Sequence, residues 1–144
     1  MLSRTAEYLY WISRYMERAE TTARLLDVGY RMSLFPNPSG YNNEWESVLS
    51  AAGAIEGYKN KYDTIEQKNV EDYLFFDESN PSSVYNCILN ARNNALVVRT
   101  SFTPESWLAI NKTYQEILNL NEKKFTKSDL PDLTEWTIEQ VNLF

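Results

Sequence analysis

The first 34 residues place the strongest constraint on the fold. Residues 3–34 contain no proline and one glycine, Gly29, so no proline interrupts a helix in this stretch. At 100° per residue the apolar side chains fall on one stripe, which is the pattern of an amphipathic α-helix. The stripe comprises Leu2, Ala6, Leu9, Ile12, Met16, Ala19, Ala23, Leu26, Tyr30 and Leu34. The pattern predicts a helix of about eight or nine turns that ends before Pro36, Pro38 and Gly40.

Shorter segments with the same helical period follow in the rest of the chain. They begin near Trp45, near Thr64, at Pro81 with Asn80 as the cap, at Pro104 with Thr103 in the same role, and near Asp132. The segment that begins near Trp45 is expected to stop near Gly53, and a polar loop is expected over residues 121–131. The stretch around Ile55 and Tyr58 is ambiguous and could form one more helical turn. Only four glycines and five prolines are present, which disfavours a β fold rich in tight turns. The sequence therefore predicts an all-α helical bundle with a long N-terminal helix and about five further shorter helices.

The chain length of 144 residues fits one α-helical domain over residues 1–144. Its last apolar stripe stops in mid-pattern, with no glycine cap and no polar tail. That stripe comprises Leu133, Trp136, Val141, Leu143 and Phe144. We therefore expect the sequence to be the N-terminal portion of a longer protein, or its last helix to dock on another chain. Self-association of the fragment is one such arrangement.

The composition excludes several kinds of site. The chain has no histidine, so it cannot form a His-ligated zinc site, a Ser-His-Asp triad or a Cys-His pair by itself. Its single cysteine, Cys87, lies among apolar neighbours at helical spacing, and we expect a buried, inert thiol. No glycine-rich phosphate loop is present. The sequence therefore predicts no metal and no cofactor.

The charge and hydropathy patterns limit the partners. The net charge is −6, and the densest basic stretch, Lys123-Lys124 to Lys127, is short, which argues against binding to nucleic acid. No run of about 18 apolar residues occurs, so no membrane span is predicted. The N-terminus lacks the apolar core of a signal peptide. We therefore expect a cytoplasmic protein.

The long N-terminal helix also carries charges where its period predicts burial. On the helical wheel Glu20 and Asp27 fall close to Leu9 and Met16, and these carboxylates need partners because burying an unpaired one costs several kcal/mol. Glu20 can reach Arg24 at i, i+4. Two more arginines lie seven residues apart in the segment after Pro81. The candidate cluster comprises Glu17, Arg18, Glu20, Arg24, Asp27, Arg92 and Arg99.

Two interpretations of this cluster stay open at this point. We expect the first and fourth predicted helices to be neighbours, with Arg92 and Arg99 facing the edge formed by Glu17, Glu20 and Asp27. In a structural interpretation, these groups form a buried salt-bridge network that fixes the register of the helices. In a functional interpretation, they line a polar pocket in which carboxylates bind or move protons and arginines hold an anionic group.

Several motifs together resemble the Alpha-E family, a bacterial all-helical family with a characteristic Glu-Arg motif and largely of unknown function. The similar segments are Met1-Leu2-Ser3-Arg4, Tyr10-Trp11, Arg14 to Glu20, Thr22-Ala23-Arg24, Leu26-Asp27, Asn80 to Ser83, Ala91 to Ala95, Val98-Arg99 and Glu105-Ser106-Trp107. The second motif of the family typically reads Ala-Arg-Glu-Asn-Ala-Arg. In the corresponding segment, which begins at Ala91, this chain has Asn93 in place of the acid and Leu96 in place of the last arginine. If those side chains belong to a site, it is altered in this chain.

The resemblance implies a partnership with ATP-grasp-type and transglutaminase-like proteins, in systems that form or process peptide amide bonds. It favours a binding and assembly module, accessory to such a system, that binds a peptide or its ATP-grasp partner. An enzyme acting on peptide amides is the first alternative, with Glu17 or Glu20 as acid–base and Arg18, Arg24 or Arg92 binding an anion. A purely structural bundle is the second.

Overall fold

The structure is a computed structural model that describes residues 2–35, 43–123 and 130–143. In those ranges the chain forms seven α-helices, one short 3-10 helix at Arg99–Ser101 and no strand. The helices are α1 (Leu2–Ser33), α2 (Asn43–Ala51), α3 (Ile55–Lys61), α4 (Gln67–Phe75), α5 (Val84–Val97), α6 (Pro104–Lys123) and α7 (Leu130–Leu143). The all-α prediction is confirmed. The ambiguous turn around Ile55 is the additional helix α3.

Helix α1 forms the centre of the fold and packs against both α5 and α7. The middle of its predicted stripe is buried, whereas Leu9 and Leu34 at the two ends are exposed. Near its N-terminus, Ile12 and Met16 pack with residues near the C-terminal end of α5, so the two helices run antiparallel. Full burial of such aliphatic side chains contributes about 1.5–3 kcal/mol each. The hydrophobic core therefore fixes which face of α1 is turned away from solvent.

Helix α2 ends at a glycine, as the sequence predicts. Gly53 has φ of +68°, a left-handed conformation that side chains disfavour. The amide of Ala54 then donates to the carbonyl of Leu49 at 2.9 Å, which closes the helix in a Schellman arrangement. This stop leaves the small side chains of Ala51 and Ala52 beside α1, where they form one wall of a groove described below.

The start of α5 differs from the prediction that Asn80 caps the helix and Pro81 occupies its first turn. The cap is Ser83, whose hydroxyl accepts a hydrogen bond from the amide of Asn86 at 3.1 Å. Asn80 instead fixes the preceding turn, because its side chain donates to the carbonyl of Tyr73 and accepts from the amide of Ser82. Asn80 therefore forms an Asx turn, and the helix cap lies three residues further along the chain than the sequence predicts.

The predicted start of α6 is confirmed, since Thr103 precedes Pro104 and accepts from the amide of Ser106. The predicted loop over residues 121–131 is wrong at both ends. Helix α6 continues to Lys123, and α7 begins at Leu130. Residues 124–129 lie outside the described residues, as do Pro36, Pro38 and Gly40.

The apolar stripe of α7, which the sequence suggests could dock on another chain, is partly covered within the domain. Leu133 is buried, but Leu143 is 62% exposed. The chain also buries Thr134, Thr137 and Gln140. Burial is tolerated because the two threonine hydroxyls donate to backbone carbonyls of the same helix, and the Thr113 hydroxyl donates to Gln140 at 2.7 Å. Phe144 lies outside the described residues.

Candidate functional site

The carboxylates that the sequence places near the core have partners on their own helix. Glu20 accepts from Arg24 at 2.9 Å, which confirms the expected i, i+4 pair. Asp27 pairs in the same way with Arg31 at 3.1 Å. Both acids are partly buried at the edge of α1. Local pairing therefore satisfies them without any contribution from α5.

The predicted pairing across to α5 is wrong, although α1 and α5 are neighbours as expected. Arg92 donates its Nε–H to the Oδ1 of Asn111 at 3.4 Å, and its guanidinium lies 4.6 Å from the ring centre of Tyr114. Arg99 is exposed in the 3-10 helix. No ion pair within the described ranges joins either arginine to Glu17, Glu20 or Asp27.

The physical reason is the rotation of α5 about its own axis. The small side chains of Ala91 and Ala95 are its contact with the α1 core. Arg92 follows Ala91 by one position, about 100° further around the helix, and so faces α6. A helical wheel drawn for one helix cannot reveal this direction, because it depends on which stripe its neighbour covers.

An open groove, which we call the α1 groove, lies instead along another face of α1. Its volume is about 370 Å³. Helix α1 contributes positions separated by three or four residues, which share one face, while the end of α2 and the turn before α5 form the walls. The lining residues are Arg14, Glu17, Arg18, Thr21, Thr22, Leu25, Ala51, Ala52 and Ser82.

The charged side chains of the α1 groove face solvent. Arg14 and Glu17 form a loose pair at 3.5 Å, with side chains 50% and 67% exposed. Arg18 is also exposed, and no hydrogen bond or ion pair joins its side chain to another residue of the described chain. This arrangement contrasts with a dry network, because Glu17 has only its loose, exposed pair with Arg14 and Arg18 has no ion pair among the described residues.

The charge of Arg18 also influences the pKa of the Cys87 thiol on α5. Burial raises the pKa of the Cys87 thiol to about 11, and the positive charge of Arg18 opposes that shift. Arg18 thus lies close enough to α5 to act on a fully buried group of that helix. The buried thiol predicted from the sequence is confirmed, and a nucleophilic role has no support, because the thiolate is the reactive form.

A second open groove of about 390 Å³ lies where α3 and α4 meet the turn after α4. We call it the Lys61–Asp77 corner. Lys61 pairs with Asp77 at 2.5 Å, and the Asp77 side chain is only 7% exposed. The amide and the hydroxyl of Ser79 also donate to Asp77, at 2.8 and 2.6 Å. Burial opposes ionisation of Asp77, but the hydrogen bonds outweigh it and lower its pKa below the ordinary value.

Two features of these grooves were not predicted from the sequence: the Lys61–Asp77 pair, and the place of Arg14 beside Glu17 in the α1 groove. Lys61 and Asp77 are 16 residues apart in the chain, so no local spacing connects them. Arg14 could have been found, because it precedes Glu17 by three residues and Arg18 by four on a predicted helix, so the three side chains lie on neighbouring positions of one helical face.

Among the described residues, no group of three or more Cys, Asp or Glu could hold a metal ion. None of the helices described has the length and apolar character of a membrane span.

The fold and the groove define an all-helical domain whose longest helix presents an exposed glutamate–arginine pair. The chain belongs to the Alpha-E family, described as a predicted alpha-helical domain with a conserved ER motif, and the match covers residues 1–144. Glu17-Arg18 is the only Glu-Arg dipeptide in the sequence, so the ER motif falls in the α1 groove. No curated protein and no solved structure matches the chain.

Proposed function

We propose that this domain is a non-catalytic binding and assembly module whose α1 groove receives a segment of a partner protein or a peptide. The observation that carries the proposal is the exposure of Glu17 and Arg18 in an open groove. An exposed arginine with no internal partner is available to a ligand. The resemblance noted above makes an ATP-grasp-type protein the first partner to test, with a transglutaminase-like protein as the second, in a system that forms or modifies peptide amide bonds.

The same geometry favours binding over catalysis. A general acid or base that works near neutral pH needs a carboxylate removed from water or placed beside another negative charge. Glu17 is mostly exposed and lies against Arg14, while Glu20 is paired with Arg24. Neither environment provides the removal from water or the neighbouring negative charge that this kind of catalysis requires, whereas both suit a carboxylate that orients arginines.

The test is the affinity of the purified protein for an ATP-grasp-type protein encoded beside it, measured by calorimetry. We expect Arg18→Glu to weaken binding at least 30-fold, or about 2 kcal/mol, because it reverses the charge of the exposed arginine in the groove. The matched control is Arg99→Glu, which makes the same change on an exposed site outside the groove. We expect the control to bind within about 2-fold of the unaltered protein, and circular dichroism to show both variants folded.

Equal loss of affinity in the two variants would point to a nonspecific charge effect and would refute the role of the groove. Turnover of a peptide amide by the purified domain alone, abolished by Glu17→Gln, would replace the binding module with an enzyme. A loss of melting temperature in Glu17→Gln without any loss of affinity would favour the structural interpretation.

A further inference from the structure

We propose that the ligand of the α1 groove is an extended peptide with one carboxylate group and, about three residues away, an aliphatic side chain. This inference rests on the proposed function, because it names the class of ligand for the same groove. Three features of the α1 groove support this ligand: its charge, the order of its lining residues along α1 and its length.

The charge of the groove fits a monoanion. Its charged lining residues are two arginines, Arg14 and Arg18, and one glutamate, Glu17, which together carry a formal charge of +1. A guanidinium binds a carboxylate through two parallel hydrogen bonds. Because Arg14 is already drawn to Glu17 at 3.5 Å, Arg18 is the free anchor. Glu17 would repel the second negative charge of a phosphate, so it disfavours phosphorylated ligands.

The groove changes character along α1. Along α1 the charged side chains at positions 14, 17 and 18 come first and the apolar Leu25 comes last, and the wall formed by the end of α2 is also apolar, with Ala51 and Ala52. Thr21 lies between the charged side chains and Leu25 on α1, and its hydroxyl, like that of Ser82 in the groove wall, can donate to or accept from the peptide backbone. The ligand should therefore be charged at one end, backbone-like in the middle and apolar at the other.

The length of the groove sets the spacing in the ligand. Arg18 and Leu25 are seven residues apart on a helix, a rise of about 10 Å. A peptide in the extended polyproline II conformation covers that distance in about three residues, at roughly 3.1 Å each, and with three residues per turn it places side chains three positions apart on the same face. The wall residues Ala51 and Ala52 are small, which leaves room for an aliphatic side chain of the ligand. A leucine three positions from a glutamate matches this arrangement.

The experiment uses the full chain labelled with ¹⁵N and four probes. The first is the peptide acetyl-Leu-Ser-Ser-Glu-amide, and the second is its glutamine counterpart, acetyl-Leu-Ser-Ser-Gln-amide. The third is the same sequence with phosphoserine in place of glutamate, and the fourth is inorganic phosphate. We expect the Glu peptide to shift amide resonances of residues 14–25 and to bind at least 10-fold more tightly than the Gln peptide, a difference of about 1.4 kcal/mol.

Variants of the anchor and of its neighbour sharpen the test. Arg18→Gln should remove the preference for the Glu peptide, whereas the control Arg99→Gln should keep it. Glu17→Gln should raise the affinity for the phosphopeptide at least 5-fold, because the repelling charge is gone. A purely structural Glu17 would leave that affinity unchanged. Thermal melting checks that each variant is folded.

Each remaining outcome overturns the inference. Equal binding of the Glu and Gln peptides would show that no carboxylate is recognised, and tighter binding of phosphopeptide or phosphate by the unaltered protein would show a dianion site. Absence of binding by every probe would also refute this ligand. The proposed function is tested separately. If a partner protein bound with an affinity that depends on Arg18, the binding module would be supported even though this class of peptide ligand was refuted.

Discussion

The two grooves of this domain have similar volumes but hold their charges in different ways. In the Lys61–Asp77 corner, the acid is almost completely buried and accepts three hydrogen bonds. In the α1 groove, Glu17 and Arg18 stand in solvent, and the one ion pair there is long. Buried and satisfied charges hold a structure together, whereas exposed charges with spare bonding capacity are available for binding. We therefore expect the charges of the Lys61–Asp77 corner to stabilise the fold, and those of the α1 groove to be available for binding.

The largest effect on stability should follow Asp77→Ala. The change leaves the amide of Ser79 without its acceptor and Lys61 without its partner. Loss of hydrogen bonds to a charged group costs about 2–3 kcal/mol, to be measured by urea unfolding. Glu17→Ala is the matched control in the α1 groove and should cost less than about 0.5 kcal/mol. Similar losses in the two variants would remove the distinction between the grooves.

A second, smaller effect should appear on acidification. Because the pKa of Asp77 is lowered in the folded state, its contribution to stability is present above the unfolded value of about 3.9 and is lost as the pH falls through the folded value. The unaltered protein should therefore lose more stability than Asp77→Asn between pH 5 and about pH 2. Parallel curves of unfolding free energy against pH for the two proteins would contradict this assignment.

Gly57→Ala should destabilise the corner by about 1–2 kcal/mol. A Cβ atom at this position would overlap the hydroxyl of Tyr73, whose ring packs edge-on against Tyr58 and Tyr62. Overpacking of this kind costs about 1–3 kcal/mol, part of which the better helix propensity of alanine offsets. Tyr73→Phe removes the overlapping oxygen, so the double variant should be more stable than the sum of the two single changes predicts. Strict additivity in urea unfolding would contradict the contact.

The smallest effects should come from the α1 groove itself. Glu17→Gln and Arg18→Gln should each change the free energy of unfolding by less than about 0.5 kcal/mol, because both side chains are exposed. Glu20→Gln, which removes a better formed pair with Arg24, provides a reference of about 0.3–0.5 kcal/mol. If Arg18→Gln lowered the melting temperature strongly, the arginine would hold the fold and the binding role would lose its basis.

The sequence predicted what depends on local periodicity. The structure confirms the central stripe of α1 and the Thr103-Pro104 start of α6. Each depends on signals within a few residues, such as an apolar repeat, a capping hydroxyl or a proline. The apolar pattern of α7 could not show that Thr134 and Thr137 are buried, because their hydroxyl groups donate to carbonyls of the same helix and can then be buried like apolar groups.

The candidate site was predicted only in part for a related reason. The sequence correctly paired Glu20 with Arg24, and it named Glu17 and Arg18, which lie in the α1 groove. It could not give the direction in which Arg92 points, since that follows from the rotation of α5 against α1. The groove itself depends on where α2 stops, at Gly53, and no pattern within α1 contains that information.

The single cysteine, Cys87, can report on the packing of α5 against α1 and on occupancy of the α1 groove. Because Cys87 is fully buried and its thiol ionises only near a pKa of about 11, a thiol reagent can modify it only when α5 separates from α1. The rate of modification in native buffer therefore measures how often the helix pair opens. A peptide that occupied the groove between α1 and the start of α5 would slow that reaction, and so occupancy could be followed without any added label.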